Sequence, residues 1–446
     1  MNKTTTTLLT AVLLLSAWPL AGQTRGPASA AWTFPVEEYR LRNGLRVILS
    51  ADNSLPLVSV VLAYGAGSVR EQPGQAGLAF LMENLMFQGS ENVGPLQHVG
   101  YIQKTGGIVN AETTPDKSLY YQTLPSNQLA LALWLESDRM GSLLLSTRDR
   151  ERRQDELLEE YRSRLGLEPY LESYALFDTL LYPDFAYGHP LIGSRGNLKA
   201  LTDADVKSFH AAYYVPNNAV LTIVGDIQVA RTKELVARYF DSIPPGEGVI
   251  PPPPPQFRQE GEISRLMEDA SLPSPGFHLG YRLSPLRPGD MYAMKILQYV
   301  LSRGKSSRLY TRIMKKDLTA YNFGAILEER RGVEALKIFA LNSTDVMADR
   351  CQKAVLSEFD KLKGSLIPLE ELERARHLFK TDYIRLLTTN MDRALFLADA
   401  AFADIRLDAL PAELDKYLRV SPQNLIILAN RLFVPANKVI LNIRVR

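Results

Sequence analysis

Hydrophobic residues recur along the chain with two periods, and each period predicts its own kind of element. Runs rich in β-branched residues with turn residues at their ends predict strands: "EYRLRNGLRVILSADNSLPLVSVVLAYGAGS", "NAVLTIVGDI", "GFHLGYRLS", "VEALKIFALN" and "KVILNIRV". Apolar residues at three- and four-residue steps predict helices, among them "GDMYAMKILQYVLSRG" and "PLEELERARHLFKTDYIRLLTT". Strands and helices mix without regular βαβ alternation, which predicts an α+β fold.

A proline-rich stretch, "IPPGEGVIPPPPPQFRQEGE", divides the pattern into two parts with a similar order of elements. Its five consecutive prolines, Pro251 to Pro255, favour an extended polyproline II segment. We therefore predict an N-terminal domain over residues 31–244, a linker over residues 245–261 and a C-terminal domain over residues 262–446. The shared order of elements makes the two domains candidates for structural repeats.

The first 30 residues are predicted to be a signal peptide followed by a short arm. Lys3 precedes "LLTAVLLLSAWPLAG", an apolar run that ends in small residues, as secretory signals do. The run is shorter than the ~20 residues of a membrane span. Cleavage near Ala21 or after Ala30 fits equally, and an uncleaved anchor is the competing interpretation. We expect a periplasmic or secreted bacterial protein without stable membrane insertion.

Composition argues against nucleic-acid binding, an intrachain disulfide and a lipid anchor. The formal net charge of the 446 residues is +2, and no basic run is interleaved with aromatic residues, so nothing favours nucleic-acid binding. Cys351 is the single cysteine, so no intrachain disulfide can form. No cysteine ends the apolar run, which argues against a lipid anchor there.

The stretch "GQAGLAFLMENLMFQGSENVG" predicts a helix from Leu78 to Phe87 with apolar residues on nearly every side. Glu83 is a carboxylate inside it. Positions 80 and 84 lie one turn apart and share a face. Histidines at both would be two zinc ligands with a glutamate as general base between them. Here the positions hold Phe80 and Asn84.

This stretch and several others resemble the pitrilysin/insulinase family of zinc peptidases in its short, mitochondrial-processing-peptidase-like bacterial form, whose inverzincin motif is HxxEH. The matching stretches follow family order over nearly the whole mature chain: "LRNGLRVIL", "GAGSVREQPGQAGLAFLMENLMFQGS", "GGIVNAETTPDKSLYYQTLP", "ERRQDELLEEYRSR", "AYGHPLIGS", "YYVPNNAVLTIVGDI" and "GKSSRLYTRIMKKDLTAY". The resemblance implies two homologous halves, each a mostly antiparallel sheet packed with helices.

The resemblance also places Glu160 in the slot of the third zinc ligand. Phe80 has no donor atom, and the amide oxygen of Asn84 is a poor zinc ligand. We therefore expect no metal and no catalytic residue in this chain, and treat Phe80, Glu83, Asn84 and Glu160 as a degenerate site. In that interpretation Glu83 and Asn84 form a hydrogen-bonded polar pair. The competing interpretation is a divergent metal site.

Histidines elsewhere offer no replacement ligand set. No two of them are spaced to share a helical turn: His98, His189, His210, His278 and His377. His189, in "YGHP", is expected to be structural. Because Glu160 is already in place, Phe80→His with Asn84→His is predicted to restore zinc binding.

The resemblance implies a role for the second half. In heterodimers of this family one subunit carries zinc, and the other contributes an arginine and a tyrosine to the partner's site. The matching residues are Arg308 and Tyr321, which could donate hydrogen bonds to substrate. In the loop that leads to Tyr321, Leu318 and Thr319 replace the glycine-leucine that usually precedes "AY". The alternative is that Arg308 and Tyr321 are ordinary surface and strand residues.

The family's substrate-binding edge strand corresponds to Gly106–Gln122, with Asn110, Ala111 and Thr113 at matching places. Such an edge binds an extended peptide by strand addition. The alternative is that the strand only completes its sheet.

Three functions remain open from the sequence. The first is a non-catalytic, zinc-less subunit of an exported heterodimeric zinc peptidase, which completes the chamber and binds peptide or unfolded protein; zinc is then expected in an HxxEH partner. The second is a structural or peptide-binding protein without peptidase activity. The third is an active peptidase with an altered site.

Overall fold

The computed structural model describes residues 34–248, 261–283 and 286–446. The predicted signal peptide and most of the predicted linker lie outside the described residues. The strands are β1 (Glu37–Arg40), β2 (Arg46–Ala51), β3 (Leu57–Tyr64), β4 (Ile108–Thr113), β5 (Ser118–Pro125), β6 (Ala219–Gly225), β7 (Ile263–Glu268), β8 (Gly276–Arg282), β9 (Asn322–Glu328), β10 (Ala335–Leu341) and β11 (Lys438–Arg444).

The helices of the first half precede residue 249 and those of the second half follow residue 285. They are α1 (Leu78–Leu85), α2 (Gln97–Lys104), α3 (Leu129–Gly141), α4 (Thr147–Leu167), α5 (Leu171–Leu181), α6 (Phe185–Gly188), α7 (Arg195–Ala200), α8 (Asp203–Tyr213), α9 (Val229–Phe240), α10 (Asp290–Ser302), α11 (Asp345–Gly364), α12 (Leu369–Arg385), α13 (Asn390–Phe402), α14 (Leu410–Leu418) and α15 (Pro422–Leu432). None of the helices in the described ranges is both long and apolar enough to cross a membrane.

Each half forms one sheet. The first is six-stranded with the order β1-β2-β6-β3-β5-β4, and the second is five-stranded with the order β7-β11-β8-β10-β9. Neighbouring strands are antiparallel except for the pairs β2–β6 and β7–β11, which are parallel. The predicted α+β fold with two mostly antiparallel sheets is confirmed.

The two sheets repeat one topology. If β1 is set aside, the order β2-β6-β3-β5-β4 corresponds strand for strand to β7-β11-β8-β10-β9, including the position of the parallel pair. β7 was not among the predicted strands, because "ISRLME" keeps most of its side chains at least partly exposed and lacks a buried alternating face. The repeat leaves β4 and β9 in equivalent positions at the sheet edges.

Each sheet is covered on one face by a helix of the other half. Leu397, Ala398 and Ala401 of α13 pack in one buried cluster with residues of the first sheet. Phe177 and Leu181 of α5 pack in another with residues of β11. Full burial of a large apolar side chain stabilises a fold by about 1.5–3 kcal/mol. The two halves therefore build their cores reciprocally.

The close packing of α5 depends on a glycine in β8. A Cβ atom added at Gly280 would lie 2.8 Å from side-chain atoms of both Phe177 and Leu181. A larger residue there would push α5 away from the second sheet.

Candidate degenerate peptidase site

The helix α1 turns one face toward the candidate site. Leu78, Ala79, Leu81, Met82 and Leu85 are buried in the first-half core. The remaining three residues are half-buried and lie at i, i+3 and i+4 on one face: Phe80, Glu83 and Asn84. The predicted buried helix is confirmed, and its partly open face carries the three residues that the sequence singled out.

The N-terminal end of α1 is held by a residue that the sequence did not single out. The Glu71 carboxylate accepts backbone hydrogen bonds from Gly77 (2.9 Å) and Ala79 (2.7 Å), where a negative charge favours a helix N-terminus. Gly77 has φ +98°, and a Cβ there would lie 2.4 Å from the carbonyl oxygen of Ile192. These contacts fix where α1 begins.

His189 supports the same anchor. Its Nε2 lies 2.7 Å from a carboxylate oxygen of Glu71, and its Nδ1 lies near the carbonyl oxygen of Phe185. Burial alone would lower the pKa of His189, but the hydrogen bonds to Glu71 and to the Phe185 carbonyl raise it above its ordinary value. These contacts of His189 help to hold Glu71 at the start of α1.

The two histidine slots hold no zinc ligand. Phe80 is hydrocarbon. Asn84 donates through Nδ2 to the carbonyl oxygen of Phe80 (2.9 Å), and its Oδ1 accepts a hydrogen bond from Nη2 of Arg153 on α4. Arg153 also pairs with Glu156 at 2.8 Å. The one oxygen that could have faced a metal therefore faces a guanidinium.

Glu83 and Asn84 do not form the expected polar pair. Asn84 binds Phe80 and Arg153, whereas Glu83 interacts with Thr113. Burial raises the pKa of Glu83, hydrogen bonds from the side chain and backbone of Thr113 oppose that shift, and the negative charges of Glu112 and Glu160 add to it. Glu83 is therefore shifted toward its neutral form relative to an exposed glutamate.

Glu160 is exposed on α4 and acts on Glu83 only as a nearby negative charge. Across residues 34–248, 261–283 and 286–446, no three His, Cys, Asp or Glu side chains lie close enough together to hold a metal ion. The residues present do not fit zinc, because Phe80 has no donor atom and the side-chain oxygen of Asn84 is bound by Arg153.

The predicted substrate strand is β4, which pairs with β5 on one side and ends the first sheet. Alternation along the strand places Ala111 and Thr113 on the face toward α1, and Asn110 on the opposite face with Glu112. Oδ1 of Asn110 accepts the backbone N–H of Ala111 at 2.9 Å. Of the predicted strand residues, Thr113 is the one that contacts the site directly, through Glu83.

Arg308 and Tyr321 belong to a different part of the structure. Both nitrogens of the Arg308 fork bind Glu371 of α12, at 2.7 and 2.9 Å, and the two side chains are only 14% and 15% exposed. Tyr321 is 54% exposed, and its hydroxyl lies against that of Ser274. Arg308 therefore already has a charged partner within its own half.

The altered loop before Tyr321 keeps a glycine-like backbone. Leu318, in the place of the usual glycine, has φ +52° and is 72% exposed. The left-handed region is costly for a residue with a branched side chain. Leu318 therefore adopts a backbone conformation that glycine would suit better.

Two sequence profiles of one peptidase family match successive parts of the chain. The profile described as "Insulinase (Peptidase family M16)" matches residues 46–185, and the profile described as "Peptidase M16 inactive domain" matches residues 200–379. The chain is 28% identical over 368 residues to the zinc protease PqqE of Helicobacter pylori, which covers 81% of this chain and 82% of that protein.

Two solved protease structures superimpose on this chain. The crystal structure of a protease from Helicobacter pylori superimposes with a TM-score of 0.87 and 26% identity, covering 92% of this chain and 100% of that chain. The periplasmic protease PqqL from Escherichia coli superimposes with a TM-score of 0.75 and 18% identity, covering 94% of this chain and 48% of that chain, and shows the fold alone.

Proposed function

The chain belongs to the insulinase (M16) peptidase family, and we propose that within it the chain is the non-catalytic subunit of an exported heterodimeric zinc peptidase. In this role it completes the substrate chamber, binds extended peptide and supplies Arg308 and Tyr321 to the active site of an HxxEH partner. Zinc is held by the partner.

The observation that carries the proposal is the contact of Arg153 with Asn84 beside Phe80. A zinc hydrolase needs about three protein ligands and a metal-bound water. At the two histidine positions this chain presents a phenyl ring without donor atoms and an amide oxygen bound to a guanidinium. A self-sufficient peptidase gains no support from these contacts.

Peptide binding by this subunit is supported by the edge position of β4. Its outer side has no strand partner among the described residues, so its backbone groups can pair with an added strand. Export is supported by the apolar N-terminal run and by the likeness in fold to PqqL, a protein described as periplasmic. The substrate is then a peptide or an unfolded chain in that compartment.

One observation favours a second candidate, a peptide-binding protein with no hydrolytic partner. Arg308 is held in a bidentate pair by Glu371, and such pairs are among the stronger hydrogen bonds of proteins. For Arg308 to serve a partner's substrate, this pair has to open or has to present its remaining donors at the subunit interface.

Co-purification with an HxxEH family member encoded beside this chain tests the first proposal. We expect a complex with one zinc per heterodimer that cleaves an unfolded peptide, and no cleavage by this chain alone. Arg308→Ala lowers cleavage by the complex, whereas Arg303→Ala, an exposed arginine paired with Asp382, leaves it unchanged.

Stoichiometric zinc in this chain alone would overturn the proposal, and full activity of the Arg308→Ala complex would remove the assisting role. Peptide binding by a chain that forms no complex would select the second candidate.

A further inference from the structure

A cavity of about 510 Å³ opens beside the degenerate site. It lies between the C-terminal end of α1, the start of α2 and the exposed side of α4. Its volume is within the range of small-ligand pockets and suits one or two residues of a peptide. Asn84, at the second histidine slot, lines one side of it, but neither the zinc slots nor the β4 edge accounts for the arginines and apolar residues of the remaining lining.

One end of the cavity is polar and carries two arginines. Arg153 pairs with Glu156 at 2.8 Å and donates through Nη2 to Asn84, and its buried Nε has no hydrogen-bond partner within the described ranges. Arg152 donates to Gln88, another lining residue, at 3.0 Å and pairs at 2.9 Å with Asp149, which lies outside the lining. The lining therefore holds two guanidinium groups and one carboxylate, that of Glu156, which is about half exposed and lies 2.8 Å from Arg153 and 3.7 Å from Arg152.

The opposite end is apolar. Phe87, Pro95, Leu96 and Val99 line it. Leu96 is 58% exposed and has φ +58°, so a large apolar side chain is held at the rim in a conformation that leucine rarely adopts. Strained backbone of this kind persists where the surrounding structure imposes it, and it concentrates at ligand-binding sites.

We propose that this cavity binds the C-terminal carboxylate of a peptide whose last side chain is apolar. The inference rests on the proposed function as a peptide-binding subunit and names the peptide class for this part of the chain. Guanidinium groups bind carboxylates in a planar, bidentate fashion, so Arg153 and Arg152 would hold the terminal carboxylate. The apolar end receives the adjoining side chain.

Fluorescence anisotropy with the mature chain alone tests this. Three labelled hexapeptides are compared: one ends in leucine with a free carboxylate, one is its C-terminal amide, and one is that amide with an internal glutamate. We expect the free acid to bind at least ten times more tightly than either amide. Equal binding of acid and amide, or binding of the glutamate-containing amide as tight as that of the acid, would overturn the proposal.

Two variants locate the effect. Arg153→Gln reduces binding of the free acid to the level of the amide. Arg162→Gln, which changes an exposed arginine of the same helix paired with Glu159, leaves binding unchanged. Leu96→Gly, which suits a positive φ, weakens the leucine peptide but leaves a peptide acid ending in glycine unaffected. Retained acid preference in Arg153→Gln contradicts the assignment.

The two proposals fail separately. A complex that assembles and cleaves, built with a chain that shows no acid preference, removes only this inference. An acid preference in a chain that forms no complex removes only the heterodimer.

Discussion

Arg153 on α4 donates a hydrogen bond through Nη2 to the side-chain oxygen of Asn84 on α1. Position 84 is the second of the two slots where a zinc peptidase of this family would present a histidine. The contact therefore places a permanent positive charge against the position from which a metal would have to be bound. The features that oppose zinc binding at this site therefore include the neighbouring helix as well as the two ligand positions.

Phe80→His with Asn84→His should bind zinc only weakly, and adding Arg153→Gln should strengthen that binding. The two histidines supply imidazole donors, but the guanidinium repels a divalent cation at short range. We expect at least a tenfold gain in zinc affinity from the third substitution, measured by competition with a chromophoric chelator.

The control for this set replaces Arg153→Gln by Arg162→Gln, which removes an equal charge from an exposed position of α4. If the double variant already binds zinc as tightly as the triple variant, Arg153 is no obstacle. That result would support the simpler prediction, made from the sequence, that Glu160 and two histidines suffice to bind zinc.

Glu83→Gln should stabilise the protein at pH 8 and leave it unchanged, or slightly less stable, at pH 4. The pKa of Glu83 is raised in the fold, first by burial and then by Glu112 and Glu160. A raised pKa means that stability is full below the pKa of the unfolded chain and falls as the pH rises through the folded pKa. Glutamine removes that loss, so the free energy of unfolding of Glu83→Gln should exceed that of the wild type at pH 8 and the difference should shrink toward pH 4.

Urea unfolding at the two pH values checks this. Glu159→Gln is the matched control, because Glu159 is exposed on α4 and pairs only with Arg162 in the described contacts. A wild type that gains stability relative to Glu83→Gln as the pH rises would reverse the assigned direction of the pKa shift.

The α1 face could be predicted from the sequence because it depends on local spacing: three positions one turn apart on a helix whose other residues are apolar. Arg153 could not. It is one of several arginines in the charged helix α4, and which of them meets Asn84 depends on how α4 docks on α1. Periodicity gives the apolar face of a helix and not the surface that covers it.

For the same reason, the sequence did not show that α13 and α5 each cover the sheet of the other half. The helix α13 was not among the predicted helices, and only the tertiary structure shows that its Leu397 covers the first sheet. The glycine-like backbone of Leu318 was also beyond prediction, since a leucine gives no signal for positive φ. In each case the missing information was the three-dimensional neighbour.

Leu318→Gly should raise the free energy of unfolding by up to about 1 kcal/mol. The left-handed conformation costs a leucine roughly 1–2 kcal/mol. Glycine avoids this cost but adds about 0.4–1 kcal/mol of unfolded-state entropy. Little apolar burial is lost, because the side chain is mostly exposed. Thermal and urea unfolding measure the change. Leu366→Gly, at an exposed leucine without positive φ, should destabilise, and a similar loss at Leu318 would show that its backbone is not strained.

Leu397→Ala should weaken the first sheet although it lies in the second half of the chain. The Leu397 side chain is fully buried against that sheet, so its truncation should cost about 2–5 kcal/mol. Hydrogen exchange of the β6 amides should accelerate accordingly, because α13 covers β6 and β3. Leu386→Ala, at a largely exposed leucine just after α12, should change exchange little. Unchanged protection of β6 in Leu397→Ala, with faster exchange confined to the second sheet, would show that the halves fold on separate cores.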